Sequence, residues 1–154
     1  MGDFTKHIGE IRPGTVVVAE GPFGVFTDVA RRRDRVALIA GGIGIAPIRA
    51  LLEEMPGDLV LIYRVVRDDE LVFRDELEDL ARTRGITLHY VVGDHKGPEN
   101  KHLMSSDHLH QLVPNIASRE IYVCGPPAMM SAVEQSLRRA GLPSRYIHSE
   151  KFAL

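Results

Sequence analysis

The hydrophobic positions from residue 36 onward fall into continuous apolar runs separated by segments of mixed polarity. A continuous run of strand length is typical of a strand buried on both faces of a sheet. Four such runs are VALIA (36–40), LVLIYRVV (59–66), ITLHYVV (86–92) and REIYVCG (119–125). The segment SRYIHSEKF (144–152) is a fifth predicted strand. The sequence therefore predicts five strands between residue 36 and the C-terminus.

The segments between these runs have helical spacing of apolar residues. They are IRALLEEM (48–55), FRDELEDLARTRG (73–85), SDHLHQLV (106–113) and PAMMSAVEQSLRRAG (127–141). Parallel strands need such crossover helices between them. We therefore predict an α/β fold in which helices flank a five-stranded, parallel, Rossmann-like sheet.

Local signals refine these helices. Pro47 suits the first turn of a helix, where its missing N–H costs nothing, and Pro56 with Gly57 ends that helix. Ser105 or Ser106 is the predicted cap of the third helix. The second helix should end at Gly85 and bury one face, and the fourth should also bury one face. The predicted buried residues are Phe73, Leu77, Leu80 and Ala81 in the second helix and Met130, Val133 and Leu137 in the fourth.

The first 34 residues break this alternation. The stretch IRPGTVVVAEGPFGVFT (11–27) predicts a turn, a strand and a second glycine-proline turn, with no helix between them. A charged linker, RRRDR (31–35), follows. We therefore divide the chain into the end of a β domain plus linker over residues 1–34 and an α/β domain over residues 35–154.

Composition excludes several classes of function. The formal net charge of −2 argues against binding of nucleic acid or an anionic membrane. The longest apolar stretch, residues 36–48, is short and glycine-rich, so we expect no insertion into a bilayer. Cys124 is the sole cysteine, which rules out a disulfide within the chain and favours a reducing, cytoplasmic location.

Glycines concentrate where two of the predicted strands end. In parallel α/β sheets, ligands bind beyond the carboxyl ends of the strands. GGIGIAP (41–47) follows the first strand, and glycines there would let backbone N–H groups approach a phosphate in front of a helix. CGPPAM (124–129) repeats the strand–glycine–helix arrangement. The alternatives are a tight turn without ligand and, for Cys124, a buried small hydrophobic residue.

These motifs in this order resemble the pyridine-nucleotide domain of the ferredoxin–NADP reductase superfamily, in particular ferric-reductase-like and ferredoxin-reductase-like flavoproteins. The matching segments are EGPFGVFT (20–27), IAGGIGIAPIRALL (39–52), LVLIY (59–63), ELVFRDEL (70–77), YVCGPPAMM (122–130) and HSEKF (148–152). The resemblance covers residues 12–154. It identifies residues 1–34 as the end of an FAD-binding β domain and residues 35–154 as an NAD(P)-binding domain.

The resemblance also implies roles for individual residues. The pyrophosphate would lie against Gly41, Gly42, Ile43, Gly44, Ile45, Ala46 and Pro47. Cys124 would lie near the nicotinamide, flanked by Gly125, Pro126 and Met129. Glu150 and Phe152 would lie over the flavin, which Gly21, Pro22, Phe23, Gly24 and Thr27 would face from the neighbouring domain.

The implied activity is hydride transfer from NAD(P)H to FAD, followed by electron transfer to an iron-containing or other one-electron acceptor. The flavin would be held by a β domain, in cis or in trans, of which residues 1–27 are too short to be more than the end. A purified sample is therefore expected to be colourless. The alternative is a non-catalytic regulatory or interaction domain that retains the fold.

The choice between NADP(H) and NAD(H) depends on charge after the second strand. An acidic residue there binds the ribose 2′-hydroxyl of NAD, whereas an arginine favours the 2′-phosphate of NADP. Tyr63, Arg64 and Arg67 are the predicted nucleotide-binding residues of this segment, and Arg67 favours NADP(H). The acidic pair Asp68–Asp69, which follows Arg67 directly, weakens this preference for NADP(H). The basic pair His95–Lys96 at the end of the third strand would add positive charge that favours it.

A metal site is not predicted. His102, His108 and His110 cluster in the sequence, but His108 and His110 point to different faces of a helix. The cluster also lacks a cysteine or carboxylate arrangement suited to a metal ion.

Overall fold

The computed structural model describes residues 10–18 and 26–150. These residues contain a five-stranded sheet in which all neighbouring strands are parallel. The strands are β1 (Arg35–Gly41), β2 (Asp58–Val65), β3 (Thr87–Val92), β4 (Glu120–Cys124) and β5 (Ile147–Glu150). Their spatial order is β3-β2-β1-β4-β5. The predicted fold class is confirmed, and β1 lies at the centre of the sheet.

Four helices connect the strands: α1 (Ile45–Glu54), α2 (Arg74–Arg84), α3 (Ser106–Leu112) and α4 (Pro127–Arg139). Pro47 lies in the first turn of α1, as predicted. Gly85 ends α2 in the left-handed conformation, with φ +67°. The Ser105 hydroxyl caps α3 by accepting a hydrogen bond from the backbone N–H of His108 at 3.2 Å. Sequence signals at helix ends therefore identified the boundaries well.

The sheet is buried on both faces, which explains the continuous apolar runs. One face packs against α1 and α2 through a cluster that includes Leu38, Leu52 and Leu77. The opposite face packs against α3 and α4 through residues such as Ile39 and Met130. Each fully buried side chain of this size contributes about 1.5–3 kcal/mol relative to leaving it exposed. The predicted inner face of α4, formed by Met130, Val133 and Leu137, is completely buried.

Two predicted elements differ from the structure. Phe73 lies one residue before α2, where it has a left-handed backbone (φ +60°) and is 46% exposed. The turn that follows Glu70 determines the position of Phe73. Phe73 therefore does not belong to the buried face of α2, although its spacing in the sequence matches that face. β5 is shorter than predicted, because residues 144–146 form a single 3-10 turn before it.

The arginine at the amino-terminal edge of the sheet ties three strands together. The buried Arg119 guanidinium donates two hydrogen bonds of 3.0 Å to the carboxylate of Asp58 at the start of β2. It also donates to the backbone carbonyl of Val36 in β1, at 3.2 Å. Arg119 immediately precedes β4, so one side chain fixes the relative positions of β1, β2 and β4.

The segment before β1 packs on the sheet only in part. Residues 15–18 form no strand, and Val16, Val17 and Val18 are exposed. The ring of Phe26 packs edge-on against Tyr122 with 5.5 Å between centroids, and the Tyr122 hydroxyl donates to the carbonyl of Thr27 at 3.1 Å. The division of the chain at residue 34 stays a prediction. Among residues 10–18 and 26–150, no helix combines the length and apolar character needed to cross a membrane.

Candidate functional site

The ends of the two central strands touch each other without a side chain between them. β1 and β4 are neighbours, and Ala40 pairs with Cys124 at the last position of their register. A Cβ atom added to Gly125 would lie 3.0 Å from the Cα of Gly41. A Cβ added to Gly44 would overlap the carbonyl group of Cys124 and lie 2.8 Å from the nitrogen of Gly125. The two glycine motifs found in the sequence therefore form one continuous backbone surface.

One glycine of this surface faces open space. Gly42 has a left-handed backbone (φ +51°), and a Cβ added to it would meet no atom within 4 Å. Residues 42–44 form a 3-10 turn that leads directly into α1. The start of a helix presents N–H groups without intrahelical partners and a positive dipole, which together favour an anion. The turn therefore offers an accessible backbone surface suited to a phosphate group.

The side chains of the GGIGIAP turn have different environments. Ile43 is 77% exposed, whereas the side chain of Ile45 is buried in the core beneath α1. Ala46 is exposed and Pro47 is half-buried. Ile45 can therefore take part in ligand binding only through its backbone. The sequence predicted that the whole turn would contact a phosphate, whereas in the structure the glycines provide the space for its close approach.

A cleft of about 470 Å³ opens beside this surface at the carboxyl ends of the strands. Such a position at the edge of a parallel sheet is typical of ligand-binding sites. The cleft is lined by Gly41, Gly42, Arg64, Val65, Val66, Glu70, His95, Lys101, Leu103, Met104, Pro126, Ala128, Met129 and Ala132. Five of the residues predicted to bind the cofactor are thus brought together: Gly41, Gly42, Arg64, Pro126 and Met129.

Cys124 and Glu150 lie side by side at the ends of β4 and β5, where they are paired in the register. Cys124 is completely buried. Burial, with a smaller contribution from the negative charge of Glu150, raises the pKa of the Cys124 thiol to about 11. The side chain is therefore a neutral thiol near neutral pH, which is unsuited to act as a nucleophile but suited to pack against an apolar group.

The two predicted arginines are already engaged. Arg64 is buried, and its guanidinium donates to the backbone carbonyls of Val65, Val91 and Gly93. Arg67 is exposed and forms ion pairs with Asp69 at 3.0 Å and Glu70 at 3.1 Å. The charge that favoured a 2′-phosphate in the sequence is therefore offset by neighbouring carboxylates.

Tyr63 lies away from the cleft. Its ring is completely buried beside Tyr90, and its hydroxyl donates to the carbonyl of Glu70 at 3.3 Å. Burial raises the pKa of Tyr63 above its ordinary value. Its side chain packs within the core and has no exposed surface, and its role as a cofactor-binding residue stays a prediction.

The lining residues that were not predicted include Glu70, Lys101, Leu103 and Met104. Leu103 and Met104 form an apolar pair inside an otherwise polar loop, and that pattern could have identified them. His102 and His108 have their rings edge to face at 5.3 Å. No group of residues suited to hold a metal ion occurs in the described part of the chain.

Among the described residues, some predicted binding residues do not line the cleft. Thr27 lies before the linker, and its carbonyl accepts the hydrogen bond from Tyr122. Phe152 and the four residues Gly21, Pro22, Phe23 and Gly24 fall outside the described residues. Their predicted contacts with a flavin stay predictions.

The comparison with protein families identifies the chain. The sequence profile of the oxidoreductase NAD-binding domain matches residues 38–135, which is more than half of the 154 residues. The chain belongs to this family. It is an NAD(P)-binding domain of the ferredoxin–NADP reductase superfamily, as the sequence motifs predicted.

Individual relatives agree with this assignment. The toluate 1,2-dioxygenase electron transfer component of Pseudomonas putida is 35% identical over 99% of this chain and 46% of its own length. NADH-cytochrome b5 reductase 1 of Laccaria bicolor is 28% identical over 92% of this chain and 50% of its own length. The chain thus spans about half the length of these curated relatives.

A solved structure supports the fold. The flavohemoglobin of Malassezia yamatoensis with bound FAD and heme matches with a TM-score of 0.69 at 20% identity. The match covers 91% of this chain and 39% of the flavohemoglobin. At this identity the similarity shows a shared fold alone.

Proposed function

We propose that this domain binds NADH in the cleft and presents its hydride to a flavin held by a second domain. The observation that carries the proposal is the junction of the two glycine motifs, Gly41–Gly44 and Cys124–Gly125, beside an open cleft. Electrons would pass from the flavin to an iron-containing or other one-electron acceptor. The names of the relatives support this proposal, since they describe a cytochrome b5 reductase and an electron transfer component of a dioxygenase.

The backbone of the glycine turn supports the position of the pyrophosphate. Gly42 leaves the space in front of the turn open, while Gly41, Gly44 and Gly125 allow the strand ends to close behind it. Lys101, His95 and Arg64 are the basic residues of the cleft lining. A diphosphate would thus be bound between a helix start and a cationic side chain.

The end of the sheet beside Cys124 supports the position of the nicotinamide. The Met129 side chain over Gly41 and the Pro126 ring form a small apolar surface in the cleft, and the neutral thiol of Cys124 is buried at the adjoining end of β4. Glu150 lies next to Cys124 in the register of β4 and β5. NADH supplies the hydride in such a reaction, so these residues need only position the ring and exclude water.

The charges near Glu70 support NADH over NADPH. Glu70 lines the cleft after β2, where an acidic residue suits a ribose 2′-hydroxyl. Asp68 and Asp69 lie beside it, and within residues 10–18 and 26–150 the arginines paired with these three carboxylates are Arg67 and Arg74. A 2′-phosphate would meet an excess of negative charge here. This proposal replaces the preference for NADP(H) that Arg67 suggested in the sequence.

Calorimetric titration of the chain with NADH and with NADPH tests the proposal. We expect NADH to bind with one site per chain and NADPH to bind more weakly. Tighter binding of NADPH would overturn the proposed nucleotide preference. Binding of neither nucleotide would overturn the proposed function and support a regulatory or interaction domain.

Reconstitution tests the proposed reaction. The chain would be mixed with a flavin-loaded β domain from a reductase of the same superfamily, and NADH-driven reduction of a one-electron dye would be followed. We expect dye reduction that depends on both proteins. A control mixture with the flavin domain alone measures background, and binding of NADH without any flavin reduction would contradict hydride transfer.

A further inference from the structure

We propose that His108 is a positioning residue that holds one wall of the nucleotide cleft through Met104 and releases that wall when it is protonated. His108 does not line the cleft itself, whereas Met104 does. This inference rests on the proposed function, because it assigns a consequence for nucleotide binding to a contact outside the cleft.

The contact is a hydrogen bond with a defined direction. The backbone N–H of Met104 donates to Nδ1 of His108 at 3.1 Å. Met104 is 4% exposed and has a left-handed backbone with φ +64°, a conformation that non-glycine residues rarely adopt. Such a backbone persists only when its surroundings hold it in place. The hydrogen bond to His108 supplies part of that constraint.

His108 is itself held firmly. Its own backbone N–H donates to the Ser105 hydroxyl at 3.2 Å, which caps α3. The edge-to-face contact with the His102 ring, at 5.3 Å between centroids, also constrains the imidazole. These contacts hold the His108 imidazole with its Nδ1 directed at the backbone N–H of Met104.

Nδ1 can accept this hydrogen bond only when it carries no proton, so neutral His108 must be protonated at Nε2. The groups that act on His108 are all basic: His102 from the preceding loop, Arg64 from β2 and His89 from β3. The buried Nε2 atom of His89 has no hydrogen-bond partner among the described residues. No counter-ion from these elements stabilises a charged His108.

This environment favours the neutral form at physiological pH. Burial, and then repulsion from His102, Arg64 and His89, lowers the pKa of His108 below 6.5. A histidine whose pKa is lowered by folding stabilises the protein fully above about pH 6.5, and this stabilisation is lost as pH falls through the lower folded value. Acidification therefore places a proton on Nδ1 and breaks the bond to Met104.

The experiment compares NADH affinity from pH 8 to pH 5.5 in wild type and three variants. His108→Asn places a neutral amide oxygen near the position of Nδ1 and does not titrate in this range. His108→Leu removes the acceptor. His110→Asn is the matched control, since His110 lies on the same helix with its Nδ1 at 2.9 Å from the Ser106 carbonyl and does not line the cleft.

We expect wild type and His110→Asn to lose affinity by about threefold to tenfold between pH 8 and pH 5.5, the effect of one hydrogen bond. His108→Asn should keep its affinity at low pH, and His108→Leu should be weaker at pH 8 by a similar factor. Parallel pH profiles for wild type and His108→Asn would overturn the inference.

A second measurement needs no variant. Binding and protonation are reciprocally linked, so saturating NAD⁺ must lower the pKa of His108 if neutral His108 favours the binding-competent wall. Titration of the His108 ring protons by nuclear magnetic resonance, with and without NAD⁺, measures this shift. An unchanged pKa in the bound protein would overturn the inference, whereas absence of any NADH or NAD⁺ binding to wild type at pH 8 would overturn the proposed function instead.

Discussion

Replacing Gly44 by alanine would place a methyl group against the backbone of β4. The added Cβ would overlap the carbonyl of Cys124 and lie 2.8 Å from the nitrogen of Gly125. Both groups belong to the backbone at the centre of the sheet, so no side-chain rotation can relieve the overlap. Overpacking of this kind typically costs about 1–3 kcal/mol, and we expect about 3 kcal/mol because the neighbours are backbone atoms.

Gly42→Ala is the matched control, two residues earlier in the same turn. An alanine there meets no atom within 4 Å but must adopt φ +51°, which costs about 1–2 kcal/mol. A loss of 1 kcal/mol lowers the melting temperature of a domain of this size by about 2–4 °C. We therefore expect a decrease of about 6–12 °C for Gly44→Ala and about 2–8 °C for Gly42→Ala.

Ligand-induced stabilisation separates the two glycines further. NADH at one hundred times its dissociation constant should stabilise wild type by about 2.7 kcal/mol. In Gly42→Ala the methyl group occupies the space in front of the turn, so this stabilisation should be lost although the protein is folded. Thermal unfolding followed by circular dichroism, with and without NADH, measures both effects. A Gly44→Ala protein as stable as wild type, or a Gly42→Ala protein that NADH still stabilises fully, would refute the assignment of this turn.

Three further changes test other parts of the molecule. Arg119→Met removes the link between β1, β2 and β4 and should lower the free energy of unfolding by about 1.5–3 kcal/mol, because the Asp58 carboxylate that it leaves is half exposed. Urea denaturation measures the change, and a change below about 1 kcal/mol would contradict the proposed link. Because the pKa of the Cys124 thiol is about 11, the thiolate fraction at pH 8 is very small, so iodoacetamide should modify Cys124 rapidly only after unfolding, as mass spectrometry would show. Glu70→Gln removes a carboxylate from the cleft and should shift the affinity ratio towards NADPH by about fivefold, or ~1 kcal/mol, in competitive titrations; an unchanged ratio would place the 2′-position elsewhere.

Most of the fold could be predicted because its determinants are local. Continuous apolar runs identify strands buried on both faces, and Pro47, Gly85 and Ser105 mark helix ends through their own backbone and side-chain chemistry. Phe73 was wrongly assigned to a helical face, because the left-handed turn that ends at this residue depends on contacts around Glu70. Periodicity does not contain that information.

The site could be predicted only where its function resides in the backbone. The glycines at the ends of β1 and β4 are needed for close approach, and this requirement is visible in the sequence. The charges were harder to assign, since the sequence gives no sign that Arg64 bonds to carbonyls or that Arg67 pairs with Asp69 and Glu70. Both depend on which groups the fold brings within hydrogen-bond distance.

The buried thiol of Cys124 has a consequence for resistance to oxidation. Peroxide oxidises a thiolate to sulfenic acid far more readily than it oxidises a neutral, buried thiol. A reduced flavin that encounters oxygen is a source of peroxide, so a cysteine beside the proposed hydride-transfer site would be at constant risk. With its pKa raised to about 11 and no exposed surface, Cys124 should stay reduced under conditions in which an exposed cysteine would be consumed.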